Sequence, residues 1–558
     1  MPPPHFFTPP CSSQSDSAYS SSDRVKFSET LHARQPYAND VLTANIHQFF
    51  RQLAENTAAA CMLGGHAMLS PQNSWVIIGI GARQKVQLAG NALTHQHPDG
   101  TKTIIPLQSP EDLFSQLEII RNGCDSFDFE SDSVDSGAFN HNNTPQNSDD
   151  TDINLPLRGG LIVQTAYDFY QWCDPAWAER LKSLEWDKTG ETVLNAIEFK
   201  HWLILNLDPT ASSVNHGNWP RWTVLTRDPQ FKTDTETRWQ EVIRDPATSE
   251  NKWTTTTAKK NTSTSPDETL ETYLSTFTPS LSQDAFAARV SRIQDKISAG
   301  ELYQANLSVA FEKAMAIDPF AVFKALSFSN PSPYSGLLKI DNDFTVSNSP
   351  ELLIQLSETG KLETRPIAGT RGRGQSPAED QAVGERLMAN PKERAEHLML
   401  VDLARNDLGR VSQAGSVTVK ELLVLERYSH VTHLVSHVTG QKKKQKSLWE
   451  VLQAVFPCGT ITGCPKIRCI NTLKQLEPVS RQVYTGGLGY INARSEAMAF
   501  NILIRTVSFK ADKKSTGRYI VSANAGAGIV DGAIAAHEYK ECLRKATAML
   551  RVLKELEH

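Results

Sequence analysis

Four glutamates in two pairs carry the first chemical signal. Glu393 and Glu396 stand three residues apart in PKERAEHLMLVDLARNDLGRV, and Glu538 and Glu541 repeat that spacing in HEYKECLRK. Residues three apart on a helix share a face, so each segment presents an E-x-x-E edge. Two such edges could clasp a hard cation; magnesium takes a few carboxylates and completes its octahedron with water and substrate oxygens. Taken alone, glutamate pairs on helices are more often solvated faces.

Three further stretches offer chemistry. Residues 348–374, NSPELLIQLSETGKLETRPIAGTRGRG, read as a hairpin: a strand over 352–356, a turn at Thr359 and Gly360, and a return over 361–365. A glycine-rich loop, 369–374, follows; its glycines let the backbone approach a ligand and its arginines suit an anion. Residues 456–466, FPCGTITGCPK, form a loop before a helix, where Gly459, Thr460, Thr462 and Gly463 are placed to bind an anion near the helix start. The spacing is not that of a Walker loop. Residues 522–532, SANAGAGIVDG, run from a strand into glycines and then a helix, but the glycine spacing is one residue too long for a dinucleotide fingerprint. His433 lies in an alternating stretch, 428–438, and its spacing alone gives it no role.

The elements that must position these groups follow from periodicity. Residues 391–411 read as one helix, with proline in the first turn and Gly409 as a stop. Its continuous apolar run at 398–401 predicts burial on most sides. Further helices are expected at 284–298, 319–327, 379–388, 448–455, 464–476 and 537–557. Strands are expected at 161–172, 302–311, 334–340, 344–346, 417–419, 486–492, 499–509 and 519–525. Strands come in groups between few, long helices, which indicates an α+β fold.

Charge and composition narrow the class. The 558 residues carry 57 basic and 62 acidic side chains, a formal charge of −5, so there is no basic domain for nucleic acid. No apolar run reaches the length of a membrane span. Residues 1–25 lack the basic and apolar regions of a secretory signal and read as a disordered tail. An N-terminal region is expected over 26–270, with polar insertions near 125–152 and 245–267, and a catalytic region over 280–555. Eight cysteines in so long a chain do not make a disulfide framework. Cys458, Cys464 and Cys469 fit no common zinc spacing and read as small buried residues. A reducing, cytoplasmic location is expected.

The strings ELYQANLS, SPELL, RPIAGTRGRG, ERAEHLMLVDLARNDLGRV, HVTHLVS, GTITGCPK, FNILIRT and AGAGIV with E-Y-x-E occur in this order over residues 280–553. Together they resemble the chorismate-utilising enzymes: anthranilate and aminodeoxychorismate synthase components I, and the isochorismate and salicylate synthases. The resemblance implies two large, mostly antiparallel β-sheets packed on each other with helices outside, and magnesium-dependent chemistry on chorismate. Glu396 and Glu541 match the principal magnesium carboxylates, with Glu393 and Glu538 beside them. Glu351 matches the general acid that protonates the departing C4 hydroxyl, a role near neutral pH that requires burial to raise its pKa. His433 matches a histidine close to the ring, with Thr460 its neighbour. Gly369, Thr370, Tyr484, Arg505, Gly526, Gly528 and Lys545 match positions that hold the two substrate carboxylates.

Gln304 stands where the isochorismate and salicylate synthases resemble one another in a lysine that activates water. Glutamine cannot serve as that base, so the resemblance implies ammonia as nucleophile, delivered by a separate glutamine amidotransferase subunit. YQANLS, GTITGCPKIRC and FNILIRT look like the aminodeoxychorismate synthase branch, whose product leads to 4-aminobenzoate and folate. Ala368, where many members of that branch have a nucleophilic lysine, looks like the anthranilate branch, as do NPSPY and AEHLMLVDL. Residues 531–536, DGAIAA, depart from the family's usual loop beside Glu538. The expected activity is amination of chorismate at C4. Anthranilate synthesis is the alternative, and a non-catalytic chorismate- or nucleotide-binding protein is the alternative of another class.

Overall fold

Strands Gln304–Met315 and Tyr519–Ile529 pair antiparallel along their whole length, from Met315 opposite Tyr519 to Ala305 opposite Ile529. Side chains alternate across a strand. Ala305, Leu307, Val309 and Phe311 therefore share one face with Ala523, Ala525, Ala527 and Ile529, and all are buried. The C-terminal helix, Ala535–Leu556, covers that face with Cys542, Ala546, Met549, Leu550 and Leu553. The opposite face carries Gln304 and Asn306 beside Gly526 and Gly528. One helix thus closes the apolar side and leaves the polar side for chemistry.

The computed structural model describes residues 36–64, 75–125, 157, 159–173, 191–206, 221–244, 276–428 and 431–557. The expected tail and, save for Asp125, the two polar insertions lie outside the described residues. Among those described, 21 strands join in one continuous antiparallel hydrogen-bonded network with helices packed against it, an α+β fold. Both halves of the chain build it: Ala59–Leu63 pairs with Tyr334–Ile340, and Gly160–Thr165 with Gly487–Asn492. No described helix is long and apolar enough to cross a membrane.

Several local expectations change. Pro391–Val411 is one helix, capped by Asn390, whose side chain accepts from the backbone N–H groups of Lys392 and Glu393. It runs through Gly409 to Val411, so that glycine is no stop. Nor is it buried on most sides: His397, Leu400, Val401, Leu408 and Val411 face inward, while Leu398 is 44% exposed. Four consecutive apolar residues circle a helix, and only the sheet-facing ones can be covered.

Residues 369–374 are no free loop. Strand Ile367–Gly372 pairs with Val431–Gln441, Thr370 opposite His433, and an irregularity in register accompanies Gly369 at φ +82°. The expected strand over 161–172 ends at Thr165 and gives way to a 3-10 turn, Tyr167–Trp172, whose Phe169, Tyr170 and Trp172 fill core space. The run 499–509 is two strands, Met498–Ile502 and Thr506–Ala511, with Arg505 between them at φ +51°. The glycines of 522–529 lie inside a paired strand, which leaves no phosphate-binding turn before a helix.

Candidate functional site

Glu351 immediately precedes strand Leu352–Leu356, and its carbonyl accepts from the Ile502 N–H. The side chain is buried, and its Oε1 has no hydrogen-bond partner. Burial pushes the carboxyl up to about 7, against the opposing pull of a Thr460 hydrogen bond, the Ile367 N–H and the charge of Lys545. Glu351 is thus a carboxylic acid that still holds its proton near neutrality, which is what a general acid needs.

His433, in strand Val431–Gln441, shares a 2.8 Å hydrogen bond between its Nδ1 and Thr370 Oγ1. Burial, with the charge of Arg505 adding to it, pushes the imidazole down to about 3. It is neutral at physiological pH and serves as a hydrogen-bonding group, not as a proton store. Arg505 is a half-buried cation whose pKa burial lowers. Among the described residues it has no carboxylate partner; its Nη1 donates to Asn330 Oδ1 at 3.5 Å. A half-buried guanidinium without a carboxylate partner is a place where an anion can be held. Tyr484 and Lys545 meet at Gly526: the lysine Nζ donates to the Gly526 carbonyl at 3.0 Å, and a Cβ on Gly526 would stand 3.1 Å from the tyrosine hydroxyl.

The four helix glutamates are electrostatically coupled. Burial raises the Glu396 carboxyl, and the charges of Glu393, Glu538 and Glu541 add to this against the pull of Lys392. Burial and Glu541 raise Glu538. For Glu541 burial is outweighed, chiefly by Lys545, and the carboxyl stays below its usual value. Tethered cations stand among them: Lys392 Nζ lies 3.7 Å from Glu396 and 3.8 Å from Glu538, Arg371 2.7 Å from Glu393, and Lys545 2.7 Å from Glu541. In this arrangement no three acidic, histidine or cysteine side chains among the described residues converge as metal ligands. The donor set nevertheless fits a hard cation. Glu396 Oε1 is buried without a hydrogen-bond partner, and four mutually repelling carboxylates on two helices are oxygen donors of the kind magnesium takes.

Buried polar struts hold these parts together. Gly369 brings strand Ile367–Gly372 against the glutamate helix: a Cβ there would stand 2.9 Å from Glu393 Oε2. His397 Nε2 meets Ser436 Oγ at 2.6 Å, tying that helix to the His433 strand. Arg481 Nη2 donates to the Asn306 carbonyl and its Nη1 to that of Ile461, so one guanidinium joins the Gln304 strand to the Thr460 loop. Asp407, near the end of the glutamate helix, pairs with Lys466 at 2.8 Å, just past that loop. A cavity of about 20 Å³ behind Glu351 touches Thr364, Asp407, Cys458 and Thr460, room for about one water. Lys466→Met leaves the Asp407 carboxylate buried and unpaired, at an expected cost of about 3–5 kcal/mol of stability. Asp407→Leu with Lys466→Met should recover most of it; urea unfolding of the two variants checks this.

Contacts join the sequence-derived residues in clusters: Glu351 with Thr460, His433 with Thr370 and the charge of Arg505, Tyr484 and Lys545 at Gly526 with Gln304 at Gly528, and the four glutamates with one another. Lys545 links two of them, pairing with Glu541 and bearing on the charge of Glu351, while Gly369 lies against Glu393. Asn306 was missed, although its place two residues after Gln304 on a strand puts both on one face. Lys466 and Arg481 were also missed, because their partners lie on other elements. Cys469 is buried as expected, while Cys458 and Cys464 are partly exposed; all three are free.

Residues 196–551 match the family described as chorismate binding enzyme. The aminodeoxychorismate synthase component 1 of Bacillus subtilis (strain 168) is 44% identical over 279 residues, 50% of this chain and 57% of that protein. The anthranilate synthase component 1 of Methanothermobacter thermautotrophicus is 42% identical over 273 residues, 49% of this chain and 57% of that protein. The chain thus spans little more than half the length of these curated relatives. Anthranilate synthase component I from Streptococcus pneumoniae TIGR4 shares the fold, with a TM-score of 0.60 and 24% identity over 86% of this chain and 93% of that one.

Proposed function

Because this chain belongs to the chorismate binding enzyme family, we propose that it aminates chorismate at C4 with ammonia, giving 4-amino-4-deoxychorismate. The observation that carries the reading is Glu351, a buried carboxyl raised to about 7 beside Thr460. Arg505, Tyr484, Lys545 and the backbone at Gly526 and Gly528 hold the substrate carboxylates. Thr370 and His433 lie against the ring from the other strand. Glu393, Glu396, Glu538 and Glu541 hold a magnesium ion, which when bound supplies positive charge to a substrate carboxylate.

Glu351 donates its proton as the C4–O bond breaks, so that the hydroxyl leaves as water. Ammonia forms the new C–N bond and sheds one proton. The carboxylate of Glu351 is restored to its acid form by a proton from solvent. Gln304 has no basic nitrogen, so it does not activate water in competition with the amine. The strings YQANLS, GTITGCPKIRC and FNILIRT support the C4 product and its use for 4-aminobenzoate and folate. The ammonia source is a glutamine amidotransferase subunit, and the location is cytoplasmic.

Ala368 favours a second reading, amination at C2 with loss of pyruvate to give anthranilate, because no lysine at that position can act as nucleophile. Pyruvate separates the two. With chorismate, magnesium and ammonium salt, the C4 reaction consumes chorismate and releases pyruvate only when an aminodeoxychorismate lyase is added. Stoichiometric pyruvate from the chain alone would replace the first reading by the second.

A further inference from the structure

The cavity behind Glu351 is bordered by a second buried acid. Glu351 and Leu353 line it from one side, Leu403 and Asp407 from helix Pro391–Val411, and Cys458 and Thr460 from the loop after Phe456. Its volume of about 20 Å³ leaves room for about one water, so Glu351 and Asp407 border the same small space. Gly459 sets the close fit: a Cβ there would collide with the Leu403 side chain, and glycine lets the helix lie against the loop. Both acids are buried, Glu351 at 4% exposure and Asp407 at 7%. Thr460 and the Ile367 N–H bond to the Glu351 carboxyl, yet its Oε1 has no hydrogen-bond partner. A buried oxygen in that state calls for a donor, and a water held among Glu351, Asp407 and Thr460 would have the polar partners it needs.

Asp407 is not sealed from solvent. Its Oδ2 accepts from Lys466 Nζ at 2.8 Å, and the lysine and aspartate side chains keep 13% and 10% exposure. Burial raises the Asp407 carboxyl against the pull of Lys466 and Arg410, and Cys464 is the other titratable group that feels its charge. Around Glu351 stand Lys545 and Cys458, whose thiol burial pushes up to about 12. The geometry points to Asp407 as the route by which Glu351 regains its proton, through one water in the cavity they share. The inference rests on the proposed function, in which Glu351 gives its proton to the departing hydroxyl. The Glu351 carboxylate then takes a proton from the water, the water takes one from Asp407, and Asp407 regains one from solvent. Lys466 stabilises the aspartate while it is ionised. Asp407 touches no substrate and acts through Glu351. None of the residues proposed to hold the substrate carboxylates lines the cavity, so the route stays open with the ring in place.

Rapid-quench kinetics with chorismate, magnesium and ammonium salt tests this by comparing first and later turnovers in wild type and Asp407→Asn. Below pH 7 Glu351 begins protonated. The variant's first turnover should therefore match wild type within about twofold, while later turnovers slow about tenfold and the KM for chorismate stays within about twofold. The resulting burst should approach about one product per site and shrink as pH rises through about 7, where Glu351 starts without its proton. Asp407→Leu with Lys466→Met leaves neither charge behind and should show the same burst; it carries the test if the asparagine variant does not fold. A loss shared equally by first and later turnovers is a structural effect and overturns the relay. Later turnovers as fast as wild type also overturn it, and in both cases the proposed function stands if wild type consumes chorismate. A wild-type chain that consumes no chorismate with ammonium overturns both.

Discussion

Glu351→Gln is expected to lower chorismate turnover by about 10²–10⁴-fold, the contribution of a positioned general acid. Glutamine keeps the shape and the polar contacts but has no proton to give. Since the carboxyl sits at about 7, wild-type turnover should fall as pH rises through that value, where the acid form is lost. The residual rate of the variant should lack this limb. A kcat profile over pH 5.5–9 in both proteins is the measurement. Stability provides a second readout with a definite sign. The folded-state pKa is raised, so the proton favours folding: the contribution is fully present below the ordinary carboxylate value and is lost as pH rises through about 7. Glu351→Gln removes that loss, and above neutrality the variant should melt at a higher temperature than wild type while being far less active.

Glu396→Gln carries the second large effect, again with opposed readouts. Glu396 is half-buried among three other carboxylates, and burial together with their charge raises its pKa. The charged form is therefore disfavoured in the metal-free fold, and glutamine removes that charge and its repulsion. The same change removes a donor from the set proposed to hold magnesium. The expected outcome is a loss of divalent-cation affinity of about 100-fold, at the upper end of what even outer-shell changes cause. A higher melting temperature in chelator should accompany it. Titration calorimetry with magnesium chloride and thermal melts in EDTA check the two parts. Equal magnesium affinity in the variant would remove Glu396 from the set.

The same residues show what a sequence can disclose. The i, i+3 spacing of Glu393 with Glu396 and of Glu538 with Glu541 is a local property of helices, and the structure does bring the two edges into electrostatic contact. Lys392, Arg371 and Lys545 among them were not legible, because they depend on how far a side chain reaches between elements. The hairpin around Gly360 was legible from its turn residues, with Leu356 opposite Leu362. The strand status of residues 367–372 was not, since their hydrogen-bond partners lie some sixty positions away at 431–435. Leu398 shows the converse error, an apolar residue on the exposed face of a helix whose neighbours are buried. Buried pairs such as Asp407 with Lys466 leave no local pattern, as each partner answers to tertiary packing alone.

Amination at C4 is read most plainly from the intact product. Chorismate, magnesium and ammonium salt are incubated with the chain, without any lyase, and the mixture is followed by proton NMR and mass spectrometry. The expected product is a ring that keeps its enolpyruvyl ether and carries nitrogen at C4, with no aromatic signals. Aromatic signals of anthranilate appearing together with free pyruvate would contradict it.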